Sequence, residues 1–254
     1  MMNPVFQRTA RLIGEKGLAV LAEKRVVVFG IGGVGSYAAE ALARSGVGHL
    51  VFVDKDVVDV SNINRQLVAD FTTVGRYKAE VMAERAGRVN ENCDAHAEIK
   101  YYRPENSAWL EELHVDFVID AVDDVPAKIA LACECSRLGI PMISSMGTGN
   151  RLHPECLMIS DIYKTSVCPL ARKIRKALRE KGISHMPVVY STEIPVKVHG
   201  EGHAPGSVSF VPPVSGMMMA GYAVRNLLKE GGYDNDQTSR VDYAFCQRRA
   251  PLRL

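Results

Sequence analysis

The sequence predicts an α/β fold, a Rossmann-like and mostly parallel sheet flanked by helices, and three features of its N-terminal half carry that expectation. An apolar run, Arg25–Phe29 (RVVVF), ends in glycines at positions 30, 32, 33 and 35. A helical stretch follows over residues 36–44, and a second apolar run, His49–Val53 (HLVFV), stops at Asp54. Strand, glycine turn, helix and strand form one βαβ unit, with a crossover long enough for parallel pairing.

The remaining elements follow from the same patterns. Residues around Arg11 fit a short amphipathic helix, and residues 56–69 read as a polar loop before a helix over 78–89. A third strand fits residues 95–102, and a fourth fits 115–120 (VDFVID), which again ends in an acid. Residues 126–138 read as a helix opened by proline, and 140–144 as the strand after it. The pattern loosens after Gly147. Strands are expected over 157–162 and 188–191, a basic helix over 169–181, and a last apolar helix over 217–228. These further strands in the C-terminal half would extend the sheet. No linker or repeat interrupts the chain, so one domain over 1–254 is expected. Within it, residues 20–147 form a nucleotide-binding core and 148–254 a substrate-binding extension.

Composition excludes several classes. Hydrophobic residues make up 47% and charged residues 24%, the balance of a globular protein. A net charge of +2 permits an anionic partner without demanding one. The most apolar late stretch, residues 208–223, contains Pro212 and Pro213 and falls short of the ~20 residues a spanning helix needs, so burial is expected and no membrane partner. The N-terminus carries no uninterrupted apolar segment of the signal-peptide kind. Cysteines at 93, 133, 135, 156, 168 and 246 include no CxxC pair, which argues against structural zinc and for reduced thiols in a cytoplasmic protein.

Gly30, Gly32 and Gly35 form GxGxxG directly after a strand, with Gly33 as a further small position. Such glycines let the chain turn tightly and bring backbone amides at a helix N-terminus against phosphate. Taken alone they also suit any tight strand-to-helix turn. Asp54 stands where a carboxylate binds ribose hydroxyls, or where a strand simply ends in a solvated acid. An NAD-dependent oxidoreductase would use the same parts. The next segments weigh against it: VSNINRQL supplies Asn62, Asn64, Arg65 and Gln66, VGRYK supplies Lys78, and DAVDD supplies Asp120 and Asp123. All follow strand ends, where parallel sheets bind ligands. Arginine and lysine there suit a triphosphate, and a carboxylate suits Mg²⁺ held against it. The plainer alternative is that Arg65 and Lys78 only solvate a loop and a helix.

The ordered set RxxRxxG, GIGGVG, DxDxVxxSNxNRQ, VGxxK, DAxDD, PLAR and PPVSGMMM resembles the ubiquitin-activating (ThiF-like) adenylyltransferase superfamily, and within it the tRNA threonylcarbamoyladenosine dehydratases. That resemblance implies ATP and Mg²⁺ as cofactors and dehydration of threonylcarbamoyladenosine in a tRNA anticodon loop through an acyl-adenylate. It makes Asp54 the ribose ligand and adds Asp56 and Gln66 to the nucleotide site. Asn62, Arg65 and Lys78 contact phosphates, Asp123 coordinates Mg²⁺, and Arg11 reaches the ATP of a neighbouring subunit in a homodimer. A sulfur-relay protein is admitted as a further partner. The chain departs from the thiamine and molybdopterin branches, which carry two CxxC pairs, and Cys168 stands where a polar residue is expected. Adenylation of a ubiquitin-like sulfur carrier is the alternative within the superfamily.

Residues 164–181 hold Lys164, Arg172, Lys173, Arg175, Lys176, Arg179 and Lys181 against Glu180 alone, with Leu170, Ile174, Ala177 and Leu178 at helical spacing. Arg172, Arg175, Lys176 and Arg179 are the candidate tRNA-phosphate contacts, and an ordinary solvated face is the alternative. Arg248, Arg249 and Arg253 add charge at the tail. Tyr163, Tyr190 and Phe210 are candidates for stacking a splayed base.

Overall fold

The computed structural model describes residues 3–197 and 205–233. Among the described residues seven strands form one sheet: β1 (Arg25–Phe29), β2 (His49–Val53), β3 (Asp94–Glu98), β4 (Phe117–Asp120), β5 (Met142–Ser145), β6 (Leu157–Asp161) and β7 (Pro187–Ser191). Their order is β3-β2-β1-β4-β5-β7-β6, parallel throughout except for the antiparallel pair β6–β7. The helices are α1 (Gln7–Ala22), α2 (Gly35–Arg44), α3 (Lys78–Val89), α4 (Trp109–Glu112), α5 (Val125–Leu138), α6 (Pro169–Glu180) and α7 (Val211–Glu230). The mostly parallel α/β architecture expected from the sequence is therefore observed.

Alternation along the central strands builds two cores. Val26 and Val28 of β1 pack into one cluster with residues of α2, α3 and α7, while Val27 and Phe29 enter the opposite one with residues of α5 and α6. Both faces of the sheet are thus covered, which leaves the strand ends as the place for a ligand.

Boundaries differ from expectation where special residues intervene. The last helix starts at Val211 because Pro212 and Pro213 occupy its first turn, where a missing N–H is no loss. The third strand stops at Glu98, and the chain then turns over the strand end, so that Lys100, Tyr101 and Tyr102 line the crevice described below. The N-terminal helix is longer than expected and carries a break at Gly14, whose φ is 68°. No helix among the described residues is long and apolar enough to cross a membrane.

Candidate functional site

Sheet order reverses between β1 and β4, and a crevice of about 540 Å³ opens over the C-terminal strand ends at that point. Its near wall is the glycine turn. Gly30 has φ +84°, and a Cβ on Gly35 would lie 1.7 Å from the Gly30 carbonyl oxygen, so the turn closes only with glycine at both places. Gly30, Gly32 and Gly33 line the crevice, whereas Gly35 supports the turn from inside α2.

Asp54, at the end of β2, accepts hydrogen bonds from the amides of Ile31 (2.7 Å) and Asp56 (2.8 Å). The carboxylate thereby ties the glycine turn to β2 and keeps lone pairs for a diol. Burial raises its pKa above the ordinary range, and the two amides oppose that shift. Lys78, the first residue of α3, is buried and pairs with Asp56 at 3.3 Å. At Asp56 burial pushes the carboxyl up, but its bond from Lys55 and the charge of Lys78 outweigh burial and hold it low. Arg65 folds over Gly33, its Nη1 donating to the carbonyl of Ser61 (2.7 Å) and to Asn64 Oδ1 (2.8 Å). Gln66 presents a buried Oε1 with no hydrogen-bond partner among the described residues, an acceptor waiting for a donor. Asp123 stands exposed on the loop after β4.

Asp54, Asp56, Arg65, Gln66, Lys78 and Asp123 are thus brought together on one crevice with the glycines. Other expected residues lie elsewhere. Asn62 is buried, and its Oδ1 caps its own turn by accepting from the Asp59 amide at 3.1 Å. Arg11 is exposed on α1, away from the crevice of its own chain. Asp120 is no ligand of the crevice: it is wholly buried, 3.0 Å from Lys128 Nζ and accepting from Ser144 Oγ at 2.6 Å. Its other oxygen accepts from the Val122 amide at 3.2 Å, and Asp124 caps α5 through the Ala127 amide at 2.9 Å. Together they brace the loop that carries Asp123 at both ends.

The basic helix is less uniformly outward than its spacing suggests. Ala171, Ile174 and Leu178 are buried, and Arg172 and Lys176 are exposed. Arg175 instead reaches back to Thr165, donating to its carbonyl at 2.9 Å and to Oγ1 at 2.7 Å. Arg179 is exposed and lies 5.6 Å over the Tyr163 ring. Leu170, in the first turn of α6, lines the crevice, so this helix starts at the crevice mouth. Tyr190 is buried and the Tyr163 hydroxyl donates to Ile183, while Phe210 is exposed. Arg248, Arg249 and Arg253 lie outside the described residues.

Sequence reasoning missed the far wall, made of Ser145–Gly149 at the end of β5 together with Pro205, Gly206 and Ser207. Its signal was the small-residue run SSMGTG at a strand end. Burial pushes the Cys93 thiol up to about 11 and raises Cys133 and Cys135 as well, the direction that disfavours the thiolate.

The fold and sequence are similar to those of known proteins. The tRNA threonylcarbamoyladenosine dehydratase of Bacillus subtilis is 41% identical over 241 residues, 89% of this chain and 95% of that protein. The Escherichia coli tRNA N6-threonylcarbamoyladenosine dehydratase in complex with AMP is similar with a TM-score of 0.85 at 34% identity, covering 92% of this chain and 99% of that one. The same enzyme in complex with ATP is similar with a TM-score of 0.83 at 36% identity, over 91% and 96% of the two chains. The ThiF family pattern matches residues 6–248, and the chain belongs to the ThiF family.

Proposed function

We propose that this protein is an ATP-dependent tRNA threonylcarbamoyladenosine dehydratase that works through an acyl-adenylate. The observation that carries the reading is a triphosphate-type crevice at the switch point, in a chain alike over nearly its whole length to dehydratases whose structures hold AMP or ATP. The substrate carboxylate attacks the α-phosphorus of ATP and pyrophosphate leaves. The ureido group then attacks the activated carbonyl, a ring closes and AMP departs, so water is lost overall. The attacking groups all belong to the substrate, and the protein supplies position and electrostatics.

The glycine turn receives phosphate on backbone amides, and Asp54 takes the ribose. Lys78 and Arg65 face the negative charge of the triphosphate, and Asn62 orients the Arg65 segment from within its capping turn. A single carboxylate suits Mg²⁺ bound together with a nucleotide, and Asp123 is the residue that would hold it here. No group of three or more His, Cys, Asp or Glu side chains converges among the described residues to form an all-protein cage. When bound, the ion neutralises phosphate charge. In the same reading Arg11 serves the crevice of a second copy in a homodimer. Its exposure supports this, as do the exposed apolar side chains of Val60 and Phe71.

The exposed charges of α6, next to the crevice mouth, would receive tRNA phosphates. Replacing Arg172, Lys176 and Arg179 with glutamine is expected to weaken tRNA binding at all sequences. It should also flatten the salt dependence by about one unit per lost contact. Filter-binding titrations at several salt concentrations check this. Unchanged affinity and slope would place the RNA footprint elsewhere.

A further inference from the structure

The far wall of the crevice contains an unusual arrangement around Arg151. This side chain is 3% exposed, yet its bonds go to main-chain carbonyls: Nε donates to Gly147 at 3.0 Å and Nη1 to Glu193. The Glu193 carboxylate does not meet it, being taken up by the amides of Leu152 (2.9 Å) and His153 (3.0 Å). Among the described residues no carboxylate pairs with this guanidinium, and burying a charge in that way is costly, so a fold that keeps it needs it for something.

Its effect falls on one peptide group. The chain between β5 and Asn150 is fixed at both ends, by Met146 donating to Val189 and Asn150 donating to Gly206, each at 2.8 Å. Between these anchors the amides of Gly147, Thr148 and Gly149 make no hydrogen bond among the described residues, and all three residues line the crevice. A trans peptide points its C=O and N–H in opposite directions. Arg151 holds the Gly147 oxygen on its own side, which turns the Thr148 N–H to the opposite side. The guanidinium charge beside that oxygen also polarises the peptide and makes its N–H a stronger donor.

We infer that the Gly147–Thr148 peptide is an oxyanion donor for the acyl carbon of the second substrate, with Arg151 as its positioning residue. The inference rests on the proposed function and assigns a step within it. As the ureido group bonds to the activated carbonyl carbon, the C=O electron pair moves onto oxygen, and the Thr148 N–H stabilises that charge. The pair then returns, the bond to the AMP phosphate oxygen breaks with its electrons on AMP, and the ureido proton leaves to solvent. The donor acts where charge develops, so it favours ring closure over formation of the adenylate.

The test separates the two steps by single-turnover measurement of pyrophosphate and AMP release with threonylcarbamoylated tRNA, each variant being checked for folding by thermal melting. Thr148→Pro removes the N–H and is expected to slow AMP release by about 10²–10³. Arg151→Met should slow it by roughly tenfold or more, and Arg151→Lys should recover most of that loss. In each case the pyrophosphate burst and the KM for ATP stay at parent values. If Thr148→Pro does not fold, the Arg151 pair carries the test alone. AMP release at the parent rate in a folded Arg151→Met variant overturns the inference, as does equal slowing of both products with a raised KM for ATP. Absence of any tRNA-dependent pyrophosphate from the parent protein would instead defeat the proposed function itself.

Discussion

Asp123→Ala is expected to lower turnover by about 10² or more, the scale of deleting one preorganised electrostatic group, while leaving the melting temperature near that of the parent protein. Asp123 is exposed on the crevice and makes no hydrogen bond or ion pair among the described residues. Truncation therefore removes no contact that holds the fold. The loop around it is fixed by Asp120 and Asp124 and not by Asp123. Steady-state AMP formation across a Mg²⁺ titration measures the effect. Near-parent rates throughout would show that the carboxylate does not serve the reaction.

Lys128→Met should have the opposite profile, a loss of stability of about 3–5 kcal/mol, because it leaves Asp120 buried without its counter-charge. Lys128 is 1% exposed and Asp120 0%. A total stability of roughly 5–15 kcal/mol leaves little margin for such a loss. Adding Asp120→Asn to Lys128→Met removes both charges and should recover much of the deficit. Denaturant midpoints of the single and double variants check the pair. A single variant as stable as the parent would show the pair to be dispensable.

These two acids show how far the sequence could be read. DAVDD placed Asp120 at a strand end and Asp123 just after it, where ligands bind. Which of them faces the crevice depends on Lys128 and Ser144, and those contacts come from a helix and a neighbouring strand that no local pattern couples. Arg175 is similar: helical spacing gives it an outward position, and only the path of residues 162–165 lets it fold back onto Thr165. The βαβ core was legible because each of its signals is local. Alternating valines set the two faces of β1, and the GxGxxG turn admits glycine alone at Gly30 and Gly35. The far wall was not, because Gly147–Gly149 gain their meaning from Arg151, whose burial is a tertiary fact.

The most direct measurement of the central claim is pyrophosphate release from ATP, compared between tRNA carrying threonylcarbamoyladenosine and the same tRNA without it. The account predicts release only with the modified tRNA, one pyrophosphate and one AMP per base converted, and a product lighter by one water. NAD should not replace ATP. Pyrophosphate release that ignores the modification, or turnover with NAD in place of ATP, would contradict it.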